Sequence, residues 1–240
     1  MVINFDELIV AHILLVRRGM TSLQTTLADL ATVQPNATRV FLRHHLDFCC
    51  GGKKSLAKAC DEAHVDPQRV LDEIVAENTR DTQQHRTWSD SPLAEIIEHI
   101  VRNYHEPLHA DLPVLVGLAR KVESTHGERP QCPRGLADVL AAMHVELEQH
   151  MQKEEQIVFS LIRSGRGRDA GMPICVLENE HQLHGAQLRR IRELTGNLAT
   201  PEKACRSWRA LYDGLLRLEA DLMEHIHLEN NILFPRALAA

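Results

Sequence analysis

Two His-x-x-x-Glu pairs, His150/Glu154 and His225/Glu229, are the residues of this sequence whose types and spacing best suit metal chemistry. Residues four positions apart share one face of an α-helix, so each pair can present an imidazole nitrogen and a carboxylate to the same point. This donor set suits iron, manganese or zinc. Structural zinc sites favour thiolate ligands, and no cysteine lies on the helical stripes that carry these pairs, which argues against such a site.

Both pairs interrupt helical stripes that are otherwise apolar. A buried carboxylate without a partner is very costly, and a cation at the centre of the core removes that cost. Two carboxylates that can each bridge, with histidines on either side, indicate a pair of metals. Read at helical spacing, the four stripes are Ile97, Val101, His105, Leu108, Leu112 and Leu115; Val139, Met143, Glu146, His150, Glu154, Ile157 and Leu161; Leu177, His181, His184, Leu188 and Ile191; and Leu211, Leu215, Leu218, Leu222, His225, Glu229 and Ile232. The predicted metal ligands are His105, His150, Glu154, His181, His225 and Glu229.

Several histidines compete for the two single positions. His105 is preferred to His99 and His109 because it continues the apolar stripe of its segment. His181 is preferred to His184, which follows it by three residues, and whether His184 also binds metal is left open.

Other polar residues near the stripes have alternative interpretations. His126, near the end of the first segment, is either a further ligand or a surface histidine at a helix end. Glu146 and Glu180 each precede a predicted ligand and either support it or relay protons, unless they are rim carboxylates. His227 and Glu155 lie off the stripes and are expected to be solvated.

The second part of the chain predicts an all-α, up-down-up-down four-helix bundle. Proline near the first turn and glycine near the end are typical of helix boundaries, and modest loops favour antiparallel neighbours. Pro107 and Pro113 lie inside the first segment and predict a kink there. The predicted segments cover residues 91–122, 133–164, 171–196 and 200–235.

A polar stretch at residues 78–91 predicts a linker between this bundle and a small helical N-terminal module. Asn36 and Asp66 are predicted helix caps in the module, and Pro67 stands at a first helical position. Its predicted helices cover residues 22–31, 36–46, 54–63 and 67–77. The predicted domains are an extension over residues 1–20, a small helical domain with a CCGG motif over 21–78, a linker over 79–91 and the bundle over 92–240.

Composition excludes several classes of protein. The 240 residues carry a formal net charge of −6 without a basic block, so nucleic-acid binding is not expected. The six cysteines lack the spacing of a disulfide framework, which favours a reduced, cytoplasmic protein. The apolar run at residues 8–16 is too short to span a bilayer and lacks a basic segment before it. We therefore expect either a short N-terminal helix or a translated upstream extension there, in preference to a signal peptide, and no membrane association.

Three stretches of the chain resemble one known family. They are DFCCGGKKSLA (47–57), HMQKEEQIVF (150–159) and LMEHIHLENNILFPRAL (222–238). They are similar to the repair-of-iron-centres family, the YtfE/ScdA-like di-iron proteins with a hemerythrin-like domain, and the resemblance extends over residues 25–238. It implies a cytoplasmic stress-response protein that repairs iron–sulfur clusters damaged by nitrosative or oxidative stress, through iron supply or NO handling. Damaged iron–sulfur proteins are the implied partners.

The resemblance also implies an assignment of ligands to two non-haem irons. One iron would take His105 and His225 and the other His150 and His181, with Glu154, Glu229 and an oxo group as bridges. His126 stands where the family often has a histidine. Hemerythrins carry a second histidine one turn after the helix-three ligand, and here that position is Gly185. The missing side chain leaves room for a small exogenous ligand such as NO or O2.

Cys49 and Cys50 are the paired cysteines of the family motif. Adjacent cysteines cannot readily chelate one metal, and a disulfide between neighbours is strained. A helix is expected to begin just after them, near Lys53 and Lys54, and both a helix N-terminus and lysines lower the pKa of a thiol. We therefore expect a reactive or NO-accepting thiolate; the alternative is two small residues in a helix–helix turn.

Two other functions stay open beside repair. The first is a di-iron NO reductase, in which Glu146 or Glu180 would move protons. The second is a scavenger or sensor that reversibly binds O2 or NO. The CCGG module favours repair over carriage, because a carrier needs no second domain. The electron donor and the formation of a homodimer are left open.

Overall fold

The computed structural model describes residues 22–34, 36–80 and 88–240, without the side chain of Arg80. Over these ranges the regular structure is helical, and the only β-type pairing is an isolated bridge between Thr26 and Ser55. The all-α prediction is thus confirmed. The chain divides into two compact units, Met1–Ser91 and Pro92–Ala240. The predicted extension over residues 1–20 and positions 81–87 of the predicted linker lie outside the described residues.

The first unit contains four short helices and one 3-10 turn. Thr26 and Ser55 cap α1 and α3 because their hydroxyls accept hydrogen bonds from the backbone N–H groups of Asp29 and Lys58. Asn36 precedes α2 but makes no capping hydrogen bond with its side chain, contrary to the prediction. The first three helices are shorter than predicted, and α4 runs three residues beyond the predicted end. The elements are α1 (Leu27–Val33), α2 (Ala37–Arg43), α3 (Leu56–Glu62), α4 (Pro67–Arg80) and the turn Trp88–Asp90.

The second unit contains four long helices, three of which include one π-helical turn. The first bundle helix is α5 (Leu93–Ile100), the π-turn Val101–His105 and α6 (Glu106–His126). The second is α7 (Leu136–Lys153), the π-turn Glu154–Val158 and α8 (Phe159–Arg163). The third is α9 (Gly171–Thr195), and the fourth is α10 (Arg206–Leu228), the π-turn Glu229–Leu233 and α11 (Phe234–Ala239). The first helix packs against the second and the fourth, and the second packs against the third.

The fourth bundle helix differs from its prediction at both ends. It begins at Arg206 instead of position 200, after Cys205 in an extended conformation. It also continues through Pro235, which was predicted to stop it, and reaches Ala239. Proline lacks the N–H that an α-helix needs. Here the π-turn changes the hydrogen-bond register immediately before it, because Phe234 N–H donates to the Glu229 carbonyl. Pro107 follows the π-turn of the first helix in the same way.

The buried face of the second bundle helix also differs from the predicted stripe. Glu146 and Ile157 are exposed, and the buried positions beside them are Leu147 and Val158. The next buried position after Met143 is Leu147, four residues later, whereas the prediction chose Glu146, three residues later. After Glu154 the π-turn adds a residue to the turn and moves the buried face from position 157 to 158. Sequence periodicity assumes a uniform α-helix and misses this shift.

Candidate metal centre

Each of the three π-turns begins or ends at a predicted ligand. His105 is the last residue of the first π-turn, and Glu154 and Glu229 are the first residues of the other two. π-turns are rare, occur mostly as single turns inside α-helices and are frequent at functional sites. Three such turns at one level of a bundle indicate that the ligand geometry sets the backbone there.

The six predicted ligands come together in the core of the bundle. Their exposed fractions are 0% or 1%. The structure forms two groups of donor atoms, each with all atoms within 4.8 Å of one another, and both groups contain Glu154 and Glu229. The first group adds His105 and His225, and the second adds His150 and His181. Two overlapping sites that share both carboxylates suit a pair of cations.

Each carboxylate presents one oxygen to each group. Glu154 Oε1 lies 3.0 Å from His150 Nε2, and its Oε2 lies 3.4 Å from His105 Nε2. Glu229 Oε2 lies 3.3 Å from His181 Nε2, and its Oε1 lies 3.2 Å from His225 Nε2. Both glutamates therefore stand in a position to bridge the two groups.

The hydrogen bonding of the carboxylate oxygens shows whether cations fit this site. All four are buried, and none makes a hydrogen bond of normal geometry although imidazole nitrogens are near. A buried carboxylate that lacks hydrogen bonds is strongly destabilising, and coordination to a metal is the usual way in which proteins satisfy one. The imidazole and carboxylate donors match the preferences of iron, manganese and zinc, so the residues present fit a metal centre.

Three of the four histidines are oriented by a hydrogen bond at Nδ1. His105 Nδ1 donates to Glu155 Oε1 over 2.7 Å, and His150 Nδ1 donates to Glu180 Oε2 over 2.8 Å. His181 Nδ1 donates to Asn230 Oδ1 over 2.8 Å. A donor at Nδ1 leaves the Nε2 lone pair for the cation and fixes the ring. The sequence left open whether Glu180 supports a ligand or is a carboxylate at the rim of the site. Its carboxylate is also held by an ion pair with Lys153.

Sequence reasoning missed Glu155 and Asn230, and it misplaced His227. Glu155 was expected to be solvated, yet its half-exposed carboxylate contacts His105. Asn230 and Glu155 each directly follow one of the two shared glutamates, and that adjacency in the two motifs is the signal that could have found them. His227 was also expected to be solvated and is buried, with its Nδ1 hydrogen-bonded to the Asn231 amide.

The imidazole nitrogens face each other within each group. His105 Nε2 lies 3.2 Å from His225 Nε2, and His150 Nε2 lies 2.9 Å from His181 Nε2. Two lone pairs at such a distance repel unless a proton or a cation lies between them. Without metal, burial alone would lower the pKa values of His105 and His181, but the carboxylates of Glu154 and Glu229 outweigh it. They raise the pKa of His105 to about 9 and that of His181 to about 10.

The pKa of Glu154 shifts in the opposite direction. Burial alone would raise it, but the charge of His150 and the contacts from His105 and His181 hold it well below its usual range. The metal-free core therefore keeps the Glu154 carboxylate ionised and takes up protons on His105 and His181. A cation would replace those protons.

His184 lies beside this cluster but belongs to neither donor group among the described residues. It is 2% exposed, and its ring stacks edge-on against His150, with the centroids 5.0 Å apart. Its Nδ1 lies 3.3 Å from Gln187 Oε1, and the Gln187 amide donates to Glu146 Oε2 over 2.7 Å. Burial and the charge of His150 lower the pKa of His184 to about 4. Glu146 thus contacts the cluster only through Gln187 and His184.

His126 lies in neither donor group. Its Nε2 is 3.2 Å from Cys205 Sγ, and its ring stacks on Trp208 with the centroids 5.2 Å apart. These partners belong to the start of α10, whereas the ligand His225 lies near the end of that helix. The contacts correspond to the histidine at a helix end that the sequence offered as one alternative.

The paired cysteines of the first unit have surroundings unlike those expected. The next helix begins at Leu56 and not beside the thiols, and Lys54 is paired with Glu62 over 2.6 Å. Cys49 is 4% exposed, and a hydrogen bond to Cys50, burial and the charge of Asp47 all raise its pKa. The expectation of a lowered pKa is therefore wrong for Cys49. Asp47, Cys49 and Cys50 form a third group of donor atoms within 4.8 Å of one another.

Comparisons with known proteins define the class first. Residues 96–237 match the model of the hemerythrin HHE cation binding domain, and residues 23–78 match a domain of unknown function, DUF542. An iron–sulfur cluster repair protein YtfE of Yersinia pseudotuberculosis serotype IB is 48% identical over 213 residues, which are 89% of this chain and 96% of that protein. A YtfE of Yersinia pestis strain Pestoides F has the same identity and coverage.

The chain therefore belongs to the YtfE family of hemerythrin-domain proteins, as the resemblance of its three motifs implied. The hemerythrin domain and the His/Glu groups together indicate iron binding. Among the described residues, no helix has both the length and the apolar character that crossing a membrane requires.

Proposed function

We propose that the bundle binds two non-haem irons, bridged by Glu154, Glu229 and an oxo group. One iron is held by His105 and His225 and the other by His150 and His181. The observation that carries this proposal is the pair of donor groups that share both glutamates while all four carboxylate oxygens lack hydrogen bonds of normal geometry.

We further propose that the protein restores iron–sulfur clusters after nitrosative or oxidative damage, in the cytoplasm, with damaged iron–sulfur proteins as partners. The relatives named for iron–sulfur cluster repair support this function, since they match the chain almost from end to end. When bound, the irons supply a redox centre and a store of releasable iron.

The residues of the chain supply orientation and access. Glu155, Glu180 and Asn230 fix three of the four imidazole rings, so the site is organised before iron arrives. Gly185 lies on α9 one turn after His181, where it offers no side chain, so the site is less crowded on that side. A small ligand such as NO or O2 is expected to bind there.

A repair assay with a variant that cannot bridge tests the function. Iron-loaded protein is expected to restore activity to an iron–sulfur enzyme damaged by NO, and Glu154→Leu is expected to lose both the iron and the effect. Glu193→Gln, which changes an exposed glutamate of α9, is the matched control and should behave as the unaltered protein. Iron-loaded protein that leaves the damaged enzyme inactive would contradict the repair function, and a protein that binds no iron would contradict the site.

A further inference from the structure

His184 is the one buried histidine of the third bundle helix that the two donor groups leave unused. Its Nε2 is buried and has no hydrogen-bond partner. An unsatisfied buried nitrogen is destabilising. The residue therefore needs a donor that the described side chains do not provide.

Its neighbours determine which of its two nitrogens carries the proton. The Glu146 carboxylate only accepts hydrogen bonds, so the Gln187 amide NH2 faces it over 2.7 Å. Gln187 Oε1 consequently faces His184 Nδ1, at 3.3 Å, and this nitrogen must be the donor. The neutral imidazole then carries its lone pair on Nε2.

The histidine next to it cannot supply the missing hydrogen bond. His150, whose ring lies against that of His184, donates from Nδ1 to Glu180 and directs Nε2 to Glu154 and His181. Direct metal ligation by His184 is not supported either, since it is absent from both donor groups. What remains is a small molecule with a proton to donate.

The position next to His184 on α9 carries no side chain. Gly185 follows His184 directly and lies one turn after the ligand His181, on the same buried stretch of α9. Glycine adds no side chain to this face of the helix, so we expect a small molecule to be accommodated there.

We propose that His184 Nε2 accepts a hydrogen bond from a water, or another protic small molecule, bound at the metal beside Gly185. This role rests on the proposed two-iron site. His184 is a positioning residue in it: it selects ligands that carry a proton over ligands that do not. Gln187 holds the acceptor tautomer, and Glu146 holds Gln187.

Azide binding to the iron-loaded protein tests the role of His184. Azide carries no proton at neutral pH, so it displaces the water and loses the hydrogen bond to His184. His184→Leu removes the acceptor and should tighten azide binding about fivefold, the effect of one hydrogen bond. His184→Gln returns an acceptor oxygen and should bind azide as the unaltered protein does. The measurement is a spectrophotometric titration, with iron content determined for each protein.

The outcomes separate this role from the proposed function. Equal azide affinity in the unaltered protein and His184→Leu, both loaded with iron, would overturn the role of His184 and leave the two-iron site intact. A His184→Gln protein that resembles His184→Leu would overturn it as well, because the ring and not its acceptor would then matter. If His184→Leu does not fold, His184→Phe keeps a ring without an acceptor and takes its place. A chain that takes up no iron contradicts both proposals.

Discussion

The bundle core and the cysteine pair of the first unit both bring potential metal ligands within 4.8 Å of one another, but they satisfy them differently. In the first unit, Asp47 Oδ1 accepts hydrogen bonds from the backbone N–H groups of Cys50 and Gly51 and from the Cys49 thiol. The polar atoms there satisfy each other. In the bundle, the outer nitrogens of three histidines are satisfied, whereas the carboxylate oxygens at the centre are not.

The comparison teaches that closely spaced donors can differ in how their polar atoms are satisfied. What distinguishes the bundle is that hydrogen bonds from outside orient the histidines, while the carboxylate oxygens at the centre lack hydrogen bonds of normal geometry. In the cysteine motif, by contrast, the backbone makes a tight turn. A Cβ on Gly52 would lie 2.5 Å from the Phe48 carbonyl oxygen, so the glycine is needed for the turn itself.

The largest expected effect is a loss of bound iron when the bundle core is altered, with no such loss when the cysteine pair is altered. Glu154→Ala removes a bridge shared by both donor groups and should reduce bound iron to near zero, because each group loses a ligand. Asp47→Ala and a double replacement of Cys49 and Cys50 by serine should keep the iron content of the unaltered protein. Metal analysis after anaerobic iron loading measures both. Iron lost on replacement of the cysteines would show that the two regions do not differ as described.

A smaller effect is expected from the hydrogen bonds that orient the ligands. Asn230→Ala leaves His181 Nδ1 without the Asn230 oxygen and should weaken iron binding by about 10-fold to 100-fold, the usual effect of losing such a partner. Asn179→Ala is the control, because this exposed asparagine of α9 bonds only its own helix turn. Competition with a chelator gives the affinities. Equal losses in the two variants would contradict an orienting role for Asn230.

The pH dependence of iron binding follows from the raised histidine pKa values. At neutral pH the metal-free protein carries protons on His105 and His181, whose pKa values are about 9 and about 10. Each donor group contains one of them, so binding should release about one proton per metal, and affinity should fall about tenfold per pH unit as pH decreases below 9. Calorimetry in buffers of different ionisation enthalpy measures the release.

The stability of the metal-free protein should have the opposite pH dependence. A histidine with a raised pKa stabilises the folded state fully below its unfolded pKa, and this contribution is lost as pH rises through about 9 to 10. Chemical unfolding with and without iron at pH 6 and pH 9 distinguishes the two trends. Parallel trends would mean that protons and metal do not compete for these histidines.

The sequence was sufficient for the helical class, the family and the residues that meet in the core, because charged residues on apolar stripes carry a strong physical signal. It was insufficient where local backbone departs from a regular helix. The π-turns at Glu154 and Glu229 moved the buried face and carried the fourth helix through Pro235. The hydrogen bonds of Glu155 and Asn230 depend on side-chain positions between helices, which spacing within one helix does not report.

The smallest effect concerns the thiols of the first unit. Cys49 is buried and its pKa is raised by its hydrogen bond to Cys50, by burial and by Asp47, so its thiolate is scarce at neutral pH. Iodoacetamide at pH 7.5 should therefore alkylate Cys49 far more slowly than the exposed Cys175. Mass spectrometry of timed samples gives the rate at each position.

The matching variant is Asp47→Asn, which keeps an acceptor but removes the charge that raises the Cys49 pKa. It should speed alkylation of Cys49 modestly, since burial is unchanged, and leave Cys175 unaffected. Rapid alkylation of Cys49 in the unaltered protein would instead restore the reactive thiolate expected from the sequence. It would also weaken the contrast between a cysteine cluster whose polar atoms satisfy each other and a bundle core whose carboxylate oxygens lack hydrogen bonds.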